Sequence, residues 1–306
     1  MTVIVVGTDD GLFELDGPTP RQVLAGREVS VVASYGPDMF AVADGDTVVA
    51  GIPGKGWREL AEVPDGLVAH CLLSSTAGGP EGLLVGTSEA RLLRFDPVDR
   101  TFEPVPSFDA IPTRDEWTTP WGGPPDTRSL AAGPAGTFVN VHVGGVWRRI
   151  HERNASWQEV VAVADDAHQV VTAGTRVAVA AAVGCGTSDD GGRRWNWSTE
   201  GLHASYCRAV AFAGDTVLVT ASTGPFTNEA ALYRRPAGAS TFERCREGLP
   251  EWFEHNIDTY CLAADDVHVV AFGTPDGTVY RSFDAGLHWT RVASGLPAIR
   301  AVALPV

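Results

Sequence analysis

The amino-acid sequence predicts an all-β protein, a seven-bladed β-propeller filling residues 1–306 as one domain, with the C-terminal strand completing blade one. Three observations predict it. A short glycine-centred text recurs along the chain, each copy sits among four short strand-like runs, and the two chain ends complement each other.

The text is VVGT at Val5 to Thr8. Looser copies are LVGTSE ending at Glu89, NVHVGG at Gly145, AAVGCG at Gly186, TASTGP at Pro225 and AFGTPD at Asp276, with a weaker TVVAGI at Ile52. Their glycines are Gly7, Gly51, Gly86, Gly144, Gly184, Gly224 and Gly273, with two successive gaps of 40 residues. A period near 40 with about four strands per unit is the signature of a propeller blade.

The units parse alike. Blade three reads LVAHCLLSS, GLLVGT, RLLRFD and TFEPV; blade six YCRAVAFA, TVLVTAS, ALYRRP and TFERC; blade seven TYCLAA, HVVAFGT, TVYRSF and HWTRVA. These runs are rich in β-branched and aromatic residues and bounded by Gly, Pro or Asp, as strands require. The first run, TVIVVGT, is a second strand with no first strand before it, whereas Ile299 to Leu304 (IRAVAL) is a spare first strand. Pairing the two hides both sheet edges.

Composition agrees. Gly (34) and Pro (20) are abundant and 44% of residues are hydrophobic, which suits many short strands and a sizeable core. The formal charge of −15 argues against nucleic acid as partner, because phosphate binding needs a basic surface. Lys55 is the single lysine, so basic chemistry rests on arginine and its fixed fork. Five cysteines without a CxxC pair suggest neither a disulfide framework nor a zinc knuckle. No leader or membrane span is read in MTVIVVGTDDGLFEL, so a cytoplasmic location and no membrane partner are expected.

Two segments carry the sharpest motif, Ser188-Asp-Asp190-Gly-Gly192-Arg-Arg-Trp195 and Ser282-Phe-Asp284-Ala-Gly286-Leu-His-Trp289, both S-x-D-x-G-x-x-W. Ser and Asp side chains bond backbone groups in tight turns, and Gly supplies positive φ. On these residues the chain resembles the Asp-box (BNR-like) repeat propellers, a group that includes sialidases and other glycosidases. The resemblance covers the whole chain, although the box itself stands only in blades five and seven. It implies that each box lies in the turn between the third and fourth strands, away from the ligand face. It carries no enzyme activity over: no sialidase-type Arg-Ile-Pro text occurs near the start, and no nucleophilic Tyr with a partner Glu is assigned.

A ligand site is expected where the innermost strands open into the central channel. Aligning these strands on Val31, Leu72, Leu130, Val171, Val210, Leu262 and Val302 puts Val29, His70, Arg128, Gln169, Arg208, Tyr260 and Arg300 two residues earlier. Strand side chains alternate with period two, so these share one orientation. Three are arginines, and converging guanidinium forks suit a carboxylate, sulfate or phosphate. Arg128, Arg208 and Arg300, with His70, Gln169 and Tyr260, are thus expected to form an anion-binding ring; the bland alternative is that each Arg pairs with a loop carboxylate. Two long loops overhang this mouth. Residues 108–126 carry Trp117 and Trp121, which either pack down or offer stacking platforms, and residues 247–260 carry His255 and Asp258. The connections between second and third strands add His142 and Glu229.

Three functions follow. The first is a propeller binding a small anionic or polar ligand, such as a glycan fragment or metabolite, at the channel mouth. The second is a glycoside hydrolase or lyase, with Asp258 and Glu229 as the paired carboxylates. The third is a protein-interaction scaffold. No cofactor is expected: His70, His142, His168, His203 and His255 all sit in mouth-side segments but lack metal-ligand spacing.

Overall fold

A computed structural model describes residues 2–75, 82–120, 122–152 and 154–305. Seven four-stranded antiparallel sheets stand in a ring. Blade one begins with β1 (Ile4–Thr8), β2 (Gly11–Leu15) and β3 (Arg21–Ala25). Blade two is β4 (Val29–Tyr35), β5 (Asp38–Ala43), β6 (Thr47–Ile52) and β7 (Gly56–Glu62). Blade three is β8 (Ala69–Ser75), β9 (Gly82–Thr87), β10 (Arg91–Asp96) and β11 (Thr101–Pro104). Blade four is β12 (Thr127–Gly133), β13 (Gly136–Val141), β14 (Gly145–Arg149) and β15 (Gln158–Val161). Blade five is β16 (Ala167–Ala173), β17 (Arg176–Ala181), β18 (Gly184–Ser188) and β19 (Asn196–Ser198). Blade six is β20 (Tyr206–Ala213), β21 (Thr216–Ser222), β22 (Ala231–Arg235) and β23 (Glu243–Arg244). Blade seven is β24 (Leu262–Ala264), β25 (Val270–Gly273), β26 (Val279–Ser282) and β27 (Thr290–Ala293). The last strand, β28 (Ile299–Ala303), pairs antiparallel with β1, Val5 opposite Ala303 and Val6 opposite Val302, and so completes blade one as expected.

Burial grades from axis to rim. Second strands are covered on both faces by neighbouring blades, which explains continuous apolar runs such as TVLVTAS, buried at every position. Fourth strands such as RQVLA are largely exposed or half-buried. The core lies between the blades. Each of the seven interfaces holds its own apolar cluster, for instance Val31, Val42 and Val48 of blade two against Leu72, Val85 and Phe102 of blade three.

The repeated glycines do not share one place: Gly144 stands in the turn before β14, Gly184 opens β18 and Gly224 follows β21. Gly7, Gly86 and Gly273 share one place in the second strand, beside the start of the next blade's first strand. A Cβ on Gly7 would lie 2.5 Å from the Val29 carbonyl oxygen, and one on Gly86 2.4 Å from the Thr127 methyl. TVVAGI is not a second strand: it is β6, the third strand of blade two, and β5 is the second. Its Gly51 instead makes room for Trp57, whose ring would lie 2.6 Å from an added Cβ.

The two S-x-D-x-G-x-x-W segments form matching turns between β18 and β19 and between β26 and β27. In the second, Ser282 Oγ donates to Asp284 Oδ1 at 2.8 Å and accepts the Gly286 amide at 2.9 Å, while Asp284 Oδ1 accepts the amides of Leu287 and His288 at 3.1 and 2.9 Å. The first repeats these bonds through Ser188, Asp190, Gly192, Arg193 and Arg194. Trp289 packs into the cluster between blades six and seven and donates to the Gly286 carbonyl. Partial burial opposes the Asp284 charge, but the backbone and side chain of His288 outweigh it and hold this carboxyl down at about 2. Among the described residues no helix is long and apolar enough to cross a membrane.

Two outcomes are expected. Val302→Asp, which buries an unpaired charge in the closing strand, should cost at least about 3 kcal/mol in urea unfolding, whereas Val98→Asp on an exposed hairpin tip should stay within about 0.5 kcal/mol. Because the folded carboxyl of Asp284 lies below its unfolded value near ~3.9, its stabilisation is present above pH ~4 and is lost as pH falls toward 2. Asp284→Asn should therefore flatten the melting-temperature profile across that window.

Candidate functional site

The site is built by a defect repeated in the innermost strands. In six blades the pairing of the first strand skips at its mouth-side end, leaving Ser30, His70, Arg128, His168, Arg208 or Arg300 without a cross-strand partner. A β-bulge of this kind bends the strand and re-aims the extra side chain. In blade seven Tyr260 stands at the equivalent place, just before β24, with φ of 66°. The ring at the mouth is therefore Ser30, His70, Arg128, His168, Arg208, Tyr260 and Arg300. Blades two and five differ from the sequence alignment by one residue. There Ser30 and His168, not Val29 and Gln169, take the bulged position. Gln169 is buried, and its Oε1 accepts the Val210 amide at 3.2 Å, tying blade five to blade six.

Residues Asp258, Thr259 and Tyr260 run across the mouth. Asp258 lies between two arginines: Arg208 Nη1 donates to its Oδ2 and Oδ1 at 2.9 and 3.0 Å, and Arg128 Nη2 to Oδ1 at 3.3 Å. Burial works against the Asp258 charge, but Arg128 and Arg208 prevail and keep its carboxyl below the usual range. One carboxylate thus faces two guanidinium groups, and among the described residues the buried Arg208 Nε has no hydrogen-bond partner. Thr259 donates to the carbonyls of Arg208 and His168 at 3.2 and 3.3 Å. The Tyr260 side chain crosses the channel: its hydroxyl accepts the Leu130 amide of the opposite blade four at 3.3 Å, and its ring packs on clusters between blades one to four.

Above this floor is a cavity of about 350 Å³ lined by Ser30, His70, Asp126, Arg128, His142, Asn256, Asp258, Tyr260 and Arg300, among others. A second hollow of about 530 Å³ adjoins it, sharing Asn256, Asp258 and Pro275 and adding Arg208, Phe226, Glu254 and His255. A larger cavity of about 770 Å³ lies away from the mouth, beside the Ser188 turn between blades five and six.

The expected site residues separate. Arg128 and Arg208 converge, whereas Arg300 turns to Asp9, with Nη2 to Oδ2 at 2.9 Å. His70 faces Asp126 at 3.5 Å. His142 lines the cavity, and burial, reinforced by Arg128, pushes its imidazole down to about 4, so it is neutral near pH 7. His255 is exposed on the second hollow. Trp117 is packed down: it is buried between Phe108 and Trp147, at ring distances of 6.0 and 5.5 Å, with Arg114 over its face. Trp121 lies outside the described residues. Glu229 is exposed and lines neither hollow, so it is not brought together with Asp258. Sequence reasoning missed Asp126, Asn256 and Phe226. Phe226 is 97% exposed at the rim of the second hollow, and the Gly224-Pro225 turn text before it was the available signal.

No protein-family model and no curated protein matches the chain. Solved structures do. The crystal structure of the RRP9 WD40 repeats is similar at a TM-score of 0.64 and 12% identity, over 98% of this chain and 88% of that one. An ancestral GH74 enzyme is similar at 0.62 and 12%, over 99% of this chain but only 40% of its own. The computationally designed Ika8 protein is similar at 0.56 and 15%, over 95% and 83%. The likeness is one of fold. It joins enzymes and repeat scaffolds alike, so chemistry has to be argued from the mouth itself.

Tyr260→Phe should cost about 1–3 kcal/mol in urea unfolding, because it strands the Leu130 amide inside the channel.

Proposed function

We propose that the chain is a propeller of the Asp-box (BNR-like) kind, akin in fold to sialidases, that binds a small anionic or polar ligand at the mouth of its channel. The matching hydrogen bonds of the Ser188 and Ser282 turns support the subtype. The observation that carries the ligand reading is the pair Arg128 and Arg208, both largely shielded from solvent and sharing the single carboxylate of Asp258. A site with two forks and one internal anion retains guanidinium donors for a second anion. In a chain of net charge −15 two converging, shielded guanidinium groups are a local exception, although they stand among the carboxylates of Asp126, Asp166 and Asp258. Carboxylate, sulfate or phosphate groups fit it, and a glycan acid or a metabolite acid would present one. His70, Asn256 and the neutral His142 supply polar contacts around the anion, and the exposed Phe226 offers a face for an apolar or sugar ring.

Hydrolysis is the weaker reading. Asp258 is held ionised by its arginines and suits anion mimicry better than proton donation, and Glu229 stands apart from it. Five buried free thiols fit a reducing compartment, in keeping with a cytoplasmic location.

The test is a thermal-shift and calorimetric titration with glucuronate, sulfate and inorganic phosphate. Arg208→Ala should weaken binding about 10–100-fold, since hydrogen bonds to charged groups contribute about 1.5–3 kcal/mol. Asp258→Asn, which removes the internal competitor, should strengthen it. Anion binding that is unchanged in Arg128→Ala and Arg208→Ala would overturn the reading.

A further inference from the structure

Beside the arginine pair, three side chains from two blades meet without completing one another. His142 follows β13 in blade four; Asp166, at φ 49°, ends the connection into blade five; and His168 is the bulged residue of β16. Their ligand atoms lie within 4.8 Å of one another. His168 is fully buried, and its Nδ1 donates to the Cys207 carbonyl at 2.6 Å. That bond directs Nε2 at Asp166, where it stands 3.5 Å from Oδ2. His142 Nε2 stands 3.8 Å from Oδ1 of the same carboxylate.

These separations exceed those of good hydrogen bonds. Nε2 of His168 and Oδ1 of Asp166 are both buried and, among the described residues, lack a hydrogen-bond partner. A buried imidazole nitrogen and a buried carboxylate oxygen left unsatisfied are each costly, and such groups call for an explanation. The separations of 3.5 and 3.8 Å, one to each oxygen of Asp166, approach the spacing between neighbouring ligands of a tetrahedral zinc ion, about 3.3 Å for bonds near 2.0 Å. The Cys207 carbonyl does to His168 what outer-shell acceptors do to metal-bound histidines, fixing the tautomer that presents its other nitrogen.

The geometry points to a divalent transition-metal site, of the kind zinc takes, formed by His142, Asp166 and His168 at the seam between blades four and five. Two imidazoles and one carboxylate favour Zn²⁺ or its first-row neighbours over Mg²⁺ and Ca²⁺, which prefer all-oxygen sites. Three protein ligands are the number that metal sites with an open position use. His142 also lines the mouth cavity, so the metal would stand at the edge of the space where a ligand enters. This inference goes beyond anion binding and does not depend on Arg208.

The test is a titration of the chelator-treated full chain with Co²⁺, read by its visible ligand-field bands and followed by displacement with Zn²⁺. One equivalent should bind. His142→Ala and Asp166→Asn should each weaken binding about 100-fold or more, while their unfolding transitions remain cooperative. His268→Ala, on an exposed position elsewhere, should bind as the unaltered chain does. Absence of ligand-field bands would overturn the site in favour of a metal-free histidine–aspartate contact. Bands that survive in both His142→Ala and Asp166→Asn, or vanish in His268→Ala, would overturn it in favour of adventitious surface binding. Anion-induced melting shifts in the same chelated protein report separately on the arginine pair.

Discussion

The molecule depends on the antiparallel pairing of β28 with β1. A ring of blades has no natural end, and until those two strands meet, the clusters on either side of blade one face water. Once they meet, every second strand is sandwiched between neighbours, and seven separate apolar seams replace a single central core. The axis is then free of packing duty. It is lined by the first residues of the innermost strands, and whatever they carry is presented at one end.

A uniform scaffold becomes an individual site through the bulge. The skipped residue leaves the ladder, so its identity is released from the β-pairing that constrains its neighbours. Seven equivalent places hold Ser, three Arg, two His and Tyr. Adjacent chemistry differs accordingly: blades four and six contribute cations to Asp258, while the blade between them contributes His168 to a carboxylate of its own. At the opposite end the side chains of the Ser-Asp turns satisfy backbone amides.

Much of the fold was legible in the sequence, because strand runs bounded by Gly and Pro, and complementary chain ends, are local signals. The register of the mouth was legible in five blades and off by one in two. The reason is visible in VSVV (29–32) and HQVV (168–171): two successive valines give no alternation, and the bulge adds a residue that period-two counting does not expect. The role of TVVAGI was misread because a glycine admits close approach of either a neighbouring strand or an indole, and the letter is the same. The Asp258 contacts join residues 50 and 130 apart in sequence, a separation at which no local pattern reaches. Trp117 illustrates the same point: its loop text leaves packing down and a stacking platform equally open, and an aromatic cluster with Phe108 and Trp147 draws it inside.

The reach of Tyr260 from blade seven to Leu130 of blade four gives the molecule a direction. An open propeller is a tube, and a chain molecule can be drawn through it. A phenol reaching across the bore from one blade to another narrows that passage, so the two ends of the tube are not equivalent. Under the proposed anion reading, a ligand with its acidic group at one end would enter this mouth more readily than one carrying it mid-chain.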